Sequence, residues 1–169
     1  MEDELKDFRL SHDVKVKLKD KKSLSKEIAS GKSAQEIMEF SNETMAKFYK
    51  AAYLLFEHKH YEDAGNAFLF LATLNPRNHE YWLGLGMASQ LNGNYEAAID
   101  AYELAAITNI ESPVAYFYLA KCLFAIHDRE SSLQALELAI EMAGDSPEFA
   151  DLKSQAETAR ALLLKNEPG

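Results

Sequence analysis

The chain has 169 residues, enough for one ordinary domain, and 47% of them are hydrophobic, which argues against wholesale disorder. Its 27 acidic and 18 basic residues leave a formal net charge of -9, a balance that speaks against nucleic acid as a main partner. The single Cys122 allows no internal disulfide, no apolar run approaches the roughly 20 residues of a membrane-spanning helix, and the start Met1-Glu2-Asp3-Glu4 lacks the basic and apolar regions of a secretory signal, so a cytoplasmic protein without membrane insertion is expected.

Taken in chain order, residues 1–22 read as a flexible basic lead. Val14-Lys15-Val16-Lys17-Leu18-Lys19 alternates like a strand, but a lone strand has no sheet to join here, and a solvated basic segment is the expectation. Residues 1–44 carry 9 basic and 10 acidic groups, whereas 45–169 carry 9 and 17, so the negative charge sits in the body. Over 23–44 a helical pattern returns through Leu24, Ile28, Ile37, Met38 and Phe40, interrupted at Gly31. This segment suits a capping helix or a dimerisation element.

From residue 45 the chain matches itself at a shift of 34 residues without a gap, through three units at 45–78, 79–112 and 113–146. Phe48, Trp82 and Tyr116 align, then Ala51, Leu85 and Leu119, then Ala52, Gly86 and Ala120. Ala64, Ala98 and Ser132 follow, then Phe68, Tyr102 and Leu136, then Leu71, Ala105 and Ala139. Each unit reads as two amphipathic helices joined by a short turn, at His58-Lys59-His60, Asn92-Gly93-Asn94 and Ile126-His127-Asp128. The small columns let the helices approach and the large columns fill the space beside them. Pro76 ends the first unit and Pro113 opens the third. These columns resemble the tetratricopeptide repeat, most closely in the central unit, where Ser89 stands for the usual Tyr and Ile110 for the usual Pro. Gly84 and Gly86 are then helix positions, with Gly86 in the close-packing column. A dinucleotide fingerprint would want a preceding strand and a third glycine at Ser89.

The chain closes with a capping helix over 147–165, which Ser146 would cap and Pro147 would start, with Phe149, Leu152, Ala156, Ala159 and Leu163 on one apolar face. Residues 166–169 are expected to fray. The fold class is thus all-α: three helix-turn-helix repeats in a right-handed superhelix between an N-terminal helix and a C-terminal cap.

In this repeat the concave side is lined by positions 2, 5, 9 and 12 of each unit. They fall on Ala46, Tyr49, Tyr53 and Phe56, on Glu80, Leu83, Met87 and Gln90, and on Val114, Phe117, Lys121 and Phe124. The result is an apolar, aromatic groove. A clamp for a peptide's terminal carboxylate would need a set of Lys, Arg and Asn there, and Lys121 alone does not supply one. Burial within the fold would account for Ala46, Val114 and Phe124. It is a weaker account of Tyr49, Tyr53, Leu83, Met87 and Phe117, since the first helix already packs through Phe48, Ala51, Ala52 and Leu55. The candidate peptide-binding residues are therefore Tyr49, Tyr53, Phe56, Leu83, Met87, Phe117 and Lys121.

Nothing in the pattern points to catalysis, a metal or a cofactor. The five histidines are scattered, His58-x-His60 lacks further ligands at metal spacing, and Cys122 has no evident base beside it and reads as a core thiol.

A narrower resemblance covers about residues 33–149. Tyr61-Glu62-Asp63-Ala64, Leu83-Gly84-Leu85-Gly86, Gly93-Asn94-Tyr95-Glu96-Ala97-Ala98-Ile99, and Ala105-Ala106-Ile107 followed by Ser112-Pro113, resemble the tetratricopeptide class of type III secretion chaperones that serve translocator proteins. The resemblance implies a bacterial cytoplasmic, ATP-independent chaperone associated with virulence. Its groove would hold an extended segment of a hydrophobic translocator, often with Pro-x-Leu-x-x-Pro-like spacing, and keep it soluble and export-competent. It also implies homodimerisation through the N-terminal helices, here 23–44, although Gly31 breaks the helix. The alternative is a generic tetratricopeptide adaptor that scaffolds another complex. Groove polarity separates the two, since an apolar groove suits an internal segment and a cationic one a client's terminus.

Overall fold

The computed structural model describes residues 12–166, and among these every regular element is helical. Helix α1 spans His12–Lys19, α2 Lys21–Ala29 and α3 Ala34–Ile37. Three helix pairs follow: α4 Asn42–Glu57 with α5 Tyr61–Leu74, α6 His79–Leu91 with α7 Tyr95–Thr108, and α8 Val114–Ala125 with α9 Arg129–Ala143. A 3-10 turn at Pro147–Phe149 leads into α10, Ala150–Lys165. From α4 onward each helix packs against the next, the arrangement of a superhelical repeat.

The lead departs from expectation. Its alternating stretch forms α1 rather than coil, and its last two residues open α2. Lysine side chains lose little freedom in a helix, and with no strand to pair with, period-2 alternation has nothing to stabilise it. Residues 1–11 of the lead lie outside the described residues, as do 167–169 of the expected tail. Asp20 caps α2 by accepting from the Ser23 amide, and Gly31 ends the helix with φ +86°. No residue of α2 is buried.

The stretch 34–40 behaves differently from α2. Ile37 is buried, and Ala34, Met38 and Phe40 pack on the core of the first unit. Phe40 meets Phe48 edge-on at 5.4 Å. Gln35 pins the exit of α3 by donating to the Phe40 carbonyl and the Asn42 side chain. One part of 23–44 therefore caps the repeats, and the other, α2, has no buried residue.

The second helices begin at Tyr61, Tyr95 and Arg129, so the 34-residue register is kept in space. All three inner turns close in the same way. The middle residue is left-handed (Lys59 φ 64°, Gly93 φ 80°, His127 φ 65°), and its amide donates to Phe56, Gln90 and Phe124 respectively. The next amide donates to Leu55, Ser89 and Leu123, which completes a Schellman pair. Asn94 and Asp128 then cap the following helix through their side chains, while His60 makes no such bond.

The two helix glycines are both contact points. A Cβ on Gly86 would stand 2.6–2.9 Å from the Tyr102 ring in the same unit, and one on Gly84 would press on the Phe68 ring of the preceding unit. Gly84-Leu85-Gly86 thus lets α6 approach helices on both sides, where the repeat columns single out only Gly86. The Ser132 hydroxyl donates to the Ala120 carbonyl at 2.8 Å, which satisfies a polar group in an otherwise small apolar column.

The C-terminal cap starts later than the sequence suggests. Ser146 makes no side-chain cap bond, Pro147 begins the 3-10 turn, and the α-helix proper opens at Ala150. Ala156 is buried, and Leu152, Ala159 and Leu163 pack on the core of the last two units. Arg129 donates to the carbonyls of Leu163 and Asn166 and so ties the end of α10 to α9.

Candidate functional site

The first unit presents a connected set of rings. Tyr49, Tyr53 and Phe56 are spaced to fall along one side of α4. Tyr49 and Tyr53 meet at 5.1 Å between centroids, and Tyr53 and Phe56 at 6.4 Å. They are braced from behind. Phe68 of α5, itself buried, lies 6.0 Å from Tyr49 and 5.8 Å from Tyr53. Tyr81 of α6 lies 5.7 Å from Tyr49, and Tyr61 lies 5.5 Å from Phe56. Tyr53 is 37% exposed, and Tyr49 and Phe56 are half-buried. These are rings held in place with one side open. Tyr49 is part of a wider polar arrangement, because burial, a hydrogen bond with Tyr53 and the nearby Glu80 all push its phenol upward, so it stays protonated.

The middle unit contributes less than its sequence suggests. Leu83 is 8% exposed and Phe117 of the third unit 6%, and both belong to the core cluster that joins the second and third units. Met87 is half-buried against the same cluster. Gln90 accepts from the Tyr102 hydroxyl at 2.7 Å, so its amide oxygen is engaged inside the protein.

The third unit reverses another expectation. Phe124, a groove position for which burial within the fold was a sufficient account, is 58% exposed. Lys121 is exposed too, with its ammonium 4.6 Å above the Phe117 ring and 5.2 Å from that of Tyr118. The signal for Phe124 was present in its column, where Phe56 also stands.

Two clefts flank these residues. One, of about 340 Å³, lies among Gln35, Asn42, Ala46, Tyr49, Asn78 and Glu80 at the first-unit end. The other, of about 780 Å³, lies between α8, α9 and α10 and takes in Phe117, Lys121 and Phe124. The carboxamides of the first cleft and the α10 wall of the second escaped the sequence reading. The groove positions of the repeat are all on first helices, and Leu162 lies off the apolar stripe of the cap.

Cys122 is fully buried, and burial pushes its thiol up to about 11 against a smaller opposing effect of Lys121, which makes it a packing residue rather than a nucleophile. Among the described residues no cluster of three or more His, Cys, Asp or Glu side chains is placed to hold a metal, and no helix is long and apolar enough to cross a membrane.

Residues 89–156 match the tetratricopeptide repeat family model. The chain is 31% identical to the low calcium response locus protein H of Yersinia pseudotuberculosis over 141 residues, 83% of this chain and 84% of that protein. Its fold superposes on the Yersinia enterocolitica type III secretion chaperone SycD in complex with a peptide of the translocator YopD, at a TM-score of 0.72 and 31% identity, covering 76% of this chain and 99% of that one. It also superposes on an alternative dimer of the translocator chaperone SycD, again at 0.72 and 31%, covering 77% and 99%. A likeness of this extent in sequence and fold, on top of three repeats in one register, places the chain in the family of low calcium response locus protein H and SycD, the tetratricopeptide-repeat translocator chaperones of type III secretion.

Proposed function

We propose that this protein is a cytoplasmic type III secretion chaperone that holds an extended segment of a hydrophobic translocator against the aromatic row of α4. The observation that carries the reading is the ring set Tyr49, Tyr53 and Phe56, open on one side and braced by Phe68 and Tyr81 on the other. Rigid rings lose little entropy on binding, and each client side chain buried against them is worth roughly 1.5–3 kcal/mol. A few such anchors mask an aggregation-prone segment at an affinity that still permits release. No chemical step is required, which agrees with a chaperone rather than an enzyme. Self-association would run through α2, whose Ile28 is exposed.

The test is fluorescence polarisation with two labelled peptides: one with Pro-x-Leu-x-x-Pro spacing and neutral ends, one acidic with a free C-terminal carboxylate. The first should bind, and Tyr49→Ala with Phe56→Ala should weaken it at least tenfold. Binding of the acidic peptide alone would turn the reading toward a clamp-type adaptor.

A further inference from the structure

The cleft at the far end of the repeats is built differently from the rest of the face. Between α4 and α6 the Tyr49 and Tyr81 rings meet at 5.7 Å, and the cleft beside them is only about 340 Å³. Between α8 and α10 the cap offers Ser154, Gln155, Thr158 and Ala159, whose small or polar side chains leave about 780 Å³ open. That volume is in the range of sites that enclose a ligand. Phe124 at 58% and Leu162 at 56% exposure both line it, two large apolar side chains from different walls of one cleft. Its charge is also unlike that of the whole protein. In a chain of net charge -9, the lining holds, among the described residues, Lys121 and Arg129 and no carboxylate. Arg129 is committed to the carbonyls at the end of α10. Lys121 has only ring partners among the described residues and keeps its charge available at the rim.

From this we infer a second docking site, in the cleft between the third repeat and the C-terminal helix, for a client segment that carries large aliphatic side chains beside a carboxylate. The site shares α8 with the groove, so a chain leaving the first-unit rings along the concave side reaches it without crossing to another face. The inference rests on the proposed chaperone function for the source of the segment. The aliphatic groups would cover Phe124 and Leu162, and the carboxylate would pair with Lys121, which the rings of Phe117 and Tyr118 hold in position.

The test uses the full chain and three probes: a fluorescein-labelled Leu-rich dodecapeptide with one central Glu, its twin with Lys in place of that Glu, and dodecanoate as a competitor. The Glu peptide should bind saturably and the Lys twin at least tenfold more weakly. Lys121→Glu should invert that preference, and Phe124→Ser with Leu162→Ser should weaken binding of both at least tenfold. The Tyr49→Ala, Phe56→Ala variant should bind the Glu peptide as the parent chain does, so a failure of the first-unit groove and a failure of this site read out separately. Peptide preference unchanged in Lys121→Glu would overturn the inference. So would binding unaffected by Phe124→Ser with Leu162→Ser, or saturable binding of dodecanoate with none of either peptide. Lys121 is exposed, so its reversal leaves the fold intact and keeps the test decisive even where the double serine variant unfolds.

Discussion

Three glycines of this chain lie within repeat helices, and the structure assigns them opposite responses to the same substitution. A Cβ on Gly84 would fall within 2.7 Å of three ring carbons of Phe68, and one on Gly86 within 2.9 Å of three of Tyr102. Comfortable carbon contacts lie at about 3.5–4.0 Å. Both rings are fully buried, so neither can swing aside. Overpacking of this kind costs about 1–3 kcal/mol, and the gain in helix propensity from Gly to Ala returns about 1 kcal/mol. With a rigid ring in the way, the cost falls at the upper end, and Gly84→Ala should lose about 2 kcal/mol net. For a protein of this length that is a fall of about 4–8 °C in melting temperature. Gly86→Ala should lose at least as much, because displacing Tyr102 also strains its hydrogen bond to Gln90. Gly65 is the internal control. A Cβ there meets Ala88 at 3.8 Å and Leu85 at 4.0 Å, ordinary contact. Gly65→Ala should therefore gain most of the propensity term and melt about 2–4 °C higher. Circular dichroism melts and urea titrations of the three variants decide the matter. Gly84→Ala as stable as Gly65→Ala would refute the close-approach account of Gly84-Leu85-Gly86.

His60 shares the backbone geometry of Asn94 and Asp128 but lacks their cap bond, so His60→Asp should raise stability by about 1 kcal/mol, read as a higher midpoint in urea. Cys122 should resist a thiol reagent in the folded protein and react once the chain is unfolded. Its folded value lies above its unfolded one, so the unfolded state releases its proton first as pH rises. Stability should fall between pH 9 and 11, by up to about 1.4 kcal/mol per pH unit, and urea midpoints across that range would show it. Ile28→Glu should shift gel-filtration elution toward the monomer without changing the melting temperature, since Ile28 is 58% exposed on a helix with no buried residue.

The repeats were legible because their signal is redundant. Many columns agree at one spacing, and a substitution such as Ser89 or Ile110 leaves the others to carry the register. The ends of the chain lack that redundancy. The alternation of Val14 to Lys19 points to a strand only if a sheet exists, and Ser146-Pro147 reads as a helix start although the chain first makes a 3-10 turn there. Exposure within the groove was the least legible feature. Column position specifies which side of its own helix a residue occupies, but not how closely the next unit covers it. Leu83 and Phe117 are covered, and Phe124, in a column assigned to the same face, is not.

That difference has a physical origin in what each first helix meets next. After α4 comes α6, whose Tyr81 reaches Tyr49 and leaves Tyr53 and Phe56 open beyond it. After α6 comes α8, and the two units share one core, which takes in Leu83 and Phe117. After α8 comes α10, a cap that leaves a cleft of about 780 Å³ beside Phe124 and does not cover it. Exposed apolar surface is consequently concentrated at the two ends of the face, with a filled stretch between them. A client held by this protein would be gripped at separated points rather than along a uniform trough. Loss of either grip should then raise the dissociation rate without abolishing capture, a pattern that one continuous groove would not give.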